Sequence, residues 1–133
     1  LRSIQSVHSD SGFQYSDYCI DGGYEAMMRL CKLQKRPTAI FISNYDMTIG
    51  AYLAINYLRL KIPDDISVIG FDNFPLANVV NPPLSFAEQP TNVMGTEAGK
   101  LLYRRICGDY SDYPKTIMHK PTMHYKESIR QLT

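Results

Sequence analysis

The sequence predicts an α/β domain built on a doubly wound parallel sheet. Two short, nearly all-apolar runs, Thr38–Ser43 and Ile66–Phe71, have the composition of parallel strands that are covered on both faces. Helical patterns lie between and around these runs, and this alternation favours a parallel sheet with helices on both sides. The 133 residues are enough for one domain of this class.

The first half of the chain contains a weak strand signal and two helices. Ile4–Ser9 is a short predicted strand, followed by a polar and aromatic loop. From Asp21 the apolar residues recur at helical spacing until Pro37 stops the helix. Asn44 stands at the N-cap position of a long helix that we predict from about Tyr45 to Leu60.

The second half continues the alternation of strands and helices. Leu76–Val80 is expected to form about one helical turn, and Leu84–Gln89 is a candidate third strand. Thr91 is expected to cap a helix that runs to about Cys107, with Gly108 as its C′ residue. The last predicted elements are two strands separated by Pro121, namely Lys115–Lys120 and Thr122–Lys126.

The long helix from Tyr45 has two apolar faces, although a helix on the outside of a sheet needs only one. One stripe faces the sheet and consists of Met47, Ala51, Ala54, Ile55 and Leu58. The second predicts self-association as a homodimer, together with apolar residues further on. This predicted dimer face comprises Ile49, Tyr52, Leu53, Leu76, Val79 and Val80. A surface position for Tyr52, with its hydroxyl in water, is the alternative.

Composition excludes several classes of function. The 14 basic and 13 acidic residues nearly balance, so this segment has no basic field for nucleic acid. No apolar run approaches the roughly 20 residues that span a membrane. The three cysteines are widely spaced, which favours free thiols in a reducing cytoplasm over a disulfide or zinc framework. We find no spacing typical of a metal site, a phosphate loop or a nucleophile elbow, and therefore expect neither a cofactor nor an enzyme.

Polar side chains follow three of the predicted strands. Asn44 comes after the first buried strand, Asp72 after the second, and Gln89 ends the third. In doubly wound sheets ligands bind beyond the carboxyl ends of the strands. A carboxylate with two amides suits the hydroxyl groups of a neutral sugar, and Tyr18 or Phe74 could stack on its ring. Helix capping, a turn and a strand terminus are the plain alternatives for the three polar residues.

Several motifs together resemble the effector-binding domain of the lactose/galactose repressor family of bacterial transcription regulators. The similar segments are Pro37-Thr38-Ala39, Met47-Thr48-Ile49-Gly50-Ala51, Ile62-Pro63-Asp64-Asp65-Ile66-Ser67-Val68-Ile69-Gly70-Phe71-Asp72-Asn73, Pro82-Pro83-Leu84 with Gln89-Pro90, Gly23-Tyr24-Glu25-Ala26 and Tyr125-Lys126-Glu127-Ser128. The resemblance covers nearly the whole chain. It implies the fold of type 1 periplasmic binding proteins, in which two lobes enclose the effector.

The resemblance also implies how the chain is organised. Residues 1–133 correspond to the C-terminal part of the effector-binding domain, mainly its C-terminal lobe. The helix over residues 91–107 is expected to pack with an N-terminal lobe that the chain lacks. Operator DNA would be contacted only through a helix-turn-helix domain outside this chain.

By position, the resemblance assigns Tyr18, Asn44, Asp72 and Gln89 to the ligand, with Tyr18 as the stacking aromatic residue. It places Ile49 and Val80 in a dimer interface. Two departures from the family pattern are Tyr45, where an acidic residue is usual, and Arg59, where Gly is usual. We expect a cytoplasmic, homodimeric regulator that senses a small molecule, a sugar or sugar derivative, and has no membrane partner. A solute-binding protein of a sugar transporter is the alternative.

Overall fold

A computed structural model describes residues 14–72 and 75–130. The predicted strand Ile4–Ser9 and the candidate stacking residue Phe74 lie outside the described residues. The elements in chain order are α1 (Ile20–Cys31), β1 (Ala39–Phe41), α2 (Tyr45–Tyr57), β2 (Ser67–Phe71), α3 (Leu76–Val79), β3 (Ser85–Glu88), α4 (Thr91–Ile106) and β4 (Thr122–His124). No helix in the described ranges combines the length and the apolar character needed to cross a membrane.

The sheet has the order β1-β2-β3-β4. The strands β1, β2 and β3 run parallel, as the sequence predicts, whereas β4 pairs antiparallel with β3. The predicted α/β fold with a parallel sheet is thus confirmed at β1, β2 and β3, and β4, for which the sequence predicts no direction, makes the described sheet mixed. Residues 115–120 do not form the strand predicted for them. β1 is the edge strand among the described residues, with Phe41 60% exposed, although its composition suggested a central strand.

The helices α1 and α2 pack closely because two glycines lie where they meet. A Cβ atom on Gly50 would lie 1.9 Å from the Ile20 carbonyl oxygen, and one on Gly23 would lie 2.5 Å from the Cα of Met47. No side chain fits at such distances, so both positions require glycine. The Gly residues of two family-like motifs thus fix the approach of α1 to α2.

The hydrophobic core lies between α2, the sheet and α1. Its buried members are Met27, Ile42, Ala51, Tyr52, Ala54, Ile55, Ile66, Val68, Ala77, Leu84 and Phe86. The sheet-facing stripe predicted for α2 is confirmed at Ala51, Ala54 and Ile55, which are at most 3% exposed. Apolar burial of this kind is the main stabilising contribution to a small domain.

The helix ends agree with the sequence at two positions and differ at two others. The Asn44 side chain accepts a hydrogen bond from the Met47 amide at 3.0 Å, which confirms the N-cap. Gly108 has φ 83°, as expected for a C′ residue. Thr91 does not cap α4, because it is already the first helical residue and Pro90 precedes it without a side-chain cap. α2 ends at Tyr57, earlier than predicted, and Arg59 then adopts φ 55°, at the position where the resemblance implies Gly.

The helix α4 and the segment after it form a separate region of the molecule. α4 has no buried residue. Arg104 and Arg105 at its C-terminal end pair with Asp112 at 3.0 and 2.6 Å, and Arg104 also pairs with Asp109 at 2.7 Å. Hydrogen bonds from Ser111, and then Arg104, lower the pKa of Asp109 to about 2. These half-buried ion pairs join the end of α4 to the segment that follows it.

A short C-terminal segment is bonded into the core between two strands. The Ser128 hydroxyl donates to the Val68 carbonyl at 2.6 Å and accepts from the Ser85 amide at 2.7 Å. The Val68 amide in turn donates to the Ser128 carbonyl at 2.9 Å. Ser128 is fully buried, and it joins the start of β2 to the start of β3.

Candidate functional site

The candidate ligand residues lie at the carboxyl ends of the parallel strands. Asp72 and Gln89 come directly after β2 and β3, and Asn44 lies three residues after the end of β1. Because β1, β2 and β3 run parallel and are neighbours, their carboxyl ends share one edge of the sheet. The sheet therefore delivers an amide, a carboxylate and an amide to the same edge.

Asp72 and Gln89 meet directly. The Gln89 Nε2 donates to Asp72 Oδ1 at 2.6 Å, and both residues are half-buried. The backbone supports this contact, since the Asp72 amide donates to the Ala87 carbonyl at 2.8 Å, two residues before Gln89. Asp72 Oδ2 and the amide oxygen of Gln89 have acceptor capacity beyond this bond, so the pair can bind hydroxyl groups of a ligand.

Tyr18 and Asn44 form a second contact pair. The Asn44 Nδ2 donates to the Tyr18 carbonyl at 3.1 Å, while its Oδ1 accepts the capping bond from Met47. One side chain thus caps α2 and holds the backbone of Tyr18. The Tyr18 ring is 65% exposed, as a residue that stacks on a ligand needs to be. The capping alternative raised for Asn44 is confirmed, and the amide still has a second N–H for another acceptor.

Backbone strain coincides with the candidate residues. Tyr18 has φ 66° and Asp72 has φ 76°, in the left-handed region that costs a bulky residue about 1–2 kcal/mol. Strained backbone of this type is concentrated at functional sites, where the surrounding structure maintains it. In the described residues the only other non-glycine residue of this kind is Arg59, at the end of α2.

Two hollows among the described residues differ in chemistry. One, of about 380 Å³, lies between α1, β1 and α2; it is lined mainly by apolar side chains such as Met27, Leu30 and Ile40. The other, of about 300 Å³, lies beside Gln89 and is lined by Glu88, Pro90 to Val93 and Thr122. The strand-end residues are the better candidate for a polar ligand, because the larger hollow offers few polar groups.

The sequence did not single out Glu88, which precedes Gln89 in the chain, or His124, which contacts Glu88. His124 Nε2 is 2.6 Å from Glu88 Oε2. Glu88 could have been selected from the sequence, because it directly precedes Gln89 in the predicted third strand. The pairing with His124 could not, since it depends on the antiparallel register of β4.

The predicted dimer face is partly covered by the chain itself. Tyr52 is only 8% exposed and belongs to the core, so its assignment to a self-association face is wrong. Burial raises the pKa of its hydroxyl to about 12, and the hydroxyl has no hydrogen-bond partner in the described part of the chain. Leu53 and Val79 are 51% and 76% exposed, whereas Ile49 and Val80 are half-buried. The side chain of Leu76 lies outside the described residues.

Comparison with known proteins identifies the family. Residues 6–129 match the model of the periplasmic binding protein-like domain. The chain is 35% identical over 117 residues to the HTH-type transcriptional repressor PurR of Actinobacillus pleuropneumoniae, covering 87% of the chain and 35% of that relative. It is 36% identical over 117 residues to the ribose operon repressor of Haemophilus influenzae, covering 88% of the chain and 35% of that relative.

A solved structure extends this similarity to the fold. A LacI family transcriptional regulator from Enterococcus faecalis V583, with bound ribose, superimposes with a TM-score of 0.75 at 28% identity. The match covers 89% of this chain and 43% of that structure. The chain therefore belongs to the periplasmic binding protein-like domains and, within them, to the lactose/galactose repressor family. It spans only about a third of the length of the two curated relatives, 35% in each case.

Proposed function

We propose that this chain is the C-terminal part of the effector-binding domain of a cytoplasmic transcriptional regulator, and that it binds a sugar or a sugar derivative. The ligand residues are Tyr18, Asn44, Asp72 and Gln89. Its role is regulatory rather than enzymatic, as the names of its repressor relatives suggest. Those names favour a regulator over the binding protein of a sugar transporter.

The hydrogen-bonded pair of Asp72 and Gln89 carries this proposal. It places a carboxylate and an amide together at the carboxyl ends of β2 and β3, on a strained backbone. A carboxylate accepts two hydroxyl hydrogens, which fits the vicinal hydroxyls of a sugar. The structural relative with bound ribose makes ribose the first probe. Effector binding would shift the population of DNA-binding states in the complete regulator, whose helix-turn-helix domain lies outside this chain.

Replacement of Asp72 tests the site in the complete regulator. We expect Asp72→Ala to weaken the affinity for ribose about 10–100-fold in calorimetric titration, because one or two charge-assisted hydrogen bonds are lost. Asp64→Ala, in the exposed loop before β2, is the matched control and should leave the affinity unchanged.

The outcomes of that titration separate the site from the ligand class. An Asp72→Ala variant that binds the sugar like the unaltered protein contradicts the assignment of the site. A panel of neutral and acidic sugars extends the titration beyond ribose. If the unaltered regulator binds none of them, the sugar class is wrong.

We further propose that the exposed part of the predicted dimer face, formed by Leu53 of α2 and Val79 of α3, joins two copies of the protein. Ile49 and Val80, which are half-buried, and Leu76 are the other residues predicted for this face. Apolar side chains exposed to the degree of Leu53 and Val79 are typical of an interface.

A charge at the centre of this face tests the dimer. We expect Leu53→Asp to reduce the molar mass measured by light scattering from that of a dimer to that of a monomer. Tyr125→Asp, at a site that is 73% exposed after β4, serves as the control and should keep the dimer mass. A dimer that survives Leu53→Asp would rule out this face.

A further inference from the structure

The last residue of β3 is held by a side chain of the opposite strand. His124 lies in β4 opposite Phe86, and the two rings stack with their centroids 4.7 Å apart. Phe86 is 3% exposed, so the core fixes the ring on which His124 rests. The His124 Nε2 is 2.6 Å from Glu88 Oε2. Because an ionised carboxylate only accepts hydrogen bonds, Nε2 carries the hydrogen and donates it to Glu88.

Gln89 is the first residue beyond the ladder of the sheet. The last pair between β3 and β4 joins Glu88 to Thr122, so the sheet does not hold the backbone of Gln89. The following helix gives little support, because α4 has no buried residue. The end of a strand without such support frays readily.

The contact between His124 and Glu88 is connected through the backbone of β3 to the candidate ligand residue Gln89. Successive side chains of a strand point to opposite faces, so Glu88 and Gln89 lie on opposite sides. The bond to His124 fixes Glu88 on one side, and the bond to Asp72 engages Gln89 on the other. The contacts that fix the backbone at Glu88 therefore also determine whether the Gln89 side chain keeps its hydrogen bond with Asp72.

We propose that His124 is a positioning residue for the ligand site, acting through Glu88 on Gln89. It does not touch the ligand. By keeping the end of β3 in place, it preorganises the Asp72–Gln89 pair, as supporting residues do around many binding sites. Its meaning for ligand binding rests on the proposed function, whereas its effect on Gln89 does not.

The side-chain amide of Gln89 provides a direct test in this chain. We expect His124→Ala to shift the ¹⁵N–¹H resonances of Gln89 Nε2 toward their positions in Asp72→Ala, because the bond to Asp72 loosens. His124→Gln, which retains an N–H donor for Glu88, should restore them in large part. The control is His119→Ala, because His119 makes a similar contact with Glu97 of α4 at 3.0 Å, away from Gln89.

A merely structural role would lower the melting temperature without this pattern. Gln89 resonances that stay unchanged in His124→Ala, or that move equally in His119→Ala, would overturn the inference. In the complete regulator, His124→Ala should weaken ribose binding by up to about fivefold, the size typical of an ion pair that stays in contact with water. The Gln89 resonances are measured without a ligand, so they can contradict this inference in a protein that still binds ribose. Conversely, the Asp72→Ala titration can contradict the proposed ligand site while His124→Ala still shifts the Gln89 resonances.

Discussion

The core helix α2 and the peripheral helix α4 both carry apolar residues at helical spacing, but they lie in opposite environments. α2 buries Ala54 and Ile55 to 1% exposure or less, whereas on α4 Leu102 is 62% and Ile106 75% exposed. Both helices have an apolar face at helical spacing. The pattern therefore shows that a face has to be covered, but it does not show whether this chain covers it.

The two regions are also held by different interactions. The core region combines apolar burial with buried hydrogen bonds, such as those of Ser128. The region of α4 depends on half-buried ion pairs around Asp109 and Asp112 and on contacts of Arg105 with the rings of Tyr110 and Tyr113. Ion pairs that stay in contact with water stabilise only weakly and are screened by salt. The resemblance to the family implies that α4 packs with an N-terminal lobe, and this stays a prediction.

Truncation of one isoleucine in each helix should give the largest difference. We expect Ile55→Ala to lower the free energy of unfolding of this chain by about 3–5 kcal/mol, because it leaves a cavity in the core. Ile106→Ala should change it by less than about 0.5 kcal/mol, because the side chain is already in water. Urea unfolding followed by circular dichroism measures both.

The same two substitutions can also be compared in the complete regulator. If α4 packs with the first lobe there, Ile106→Ala should become markedly more destabilising than in this chain, while the effect of Ile55→Ala stays similar. Equal effects of Ile106→Ala in both proteins would mean that α4 remains exposed, contrary to the organisation implied by the family.

The sequence predicted most of the elements because their signals are local. The apolar runs of β2 and β3, the Asn44 cap and the Gly108 terminus each depend on a few adjacent residues. The antiparallel direction of β4 and the edge position of β1 among the described strands depend on contacts between distant segments, which no local pattern contains. Tyr52 was misassigned for the same reason, since the core around it comes from several elements.

The candidate site was predictable to a similar extent. Strand ends could be located, and a parallel sheet brings Asn44, Asp72 and Gln89 to one edge by geometry alone. The hydrogen bond between Asp72 and Gln89 and the left-handed backbone of Tyr18 required coordinates. The motifs of the family suggested the residues, and the structure supplied the contacts between them.

Removal of one serine hydroxyl in each region should give a smaller difference of the same sign. We expect Ser128→Ala to cost about 2 kcal/mol in the free energy of unfolding, because the Val68 carbonyl and the Ser85 amide lose their buried partner. Ser111→Ala removes a hydrogen bond to Asp109 in the exposed segment after α4, where water replaces the hydroxyl, and should cost less than about 0.5 kcal/mol. Urea unfolding at equal protein concentration compares the two variants. Equal losses would show that the exposed segment is as firmly held as the core, and that burial does not distinguish the two regions.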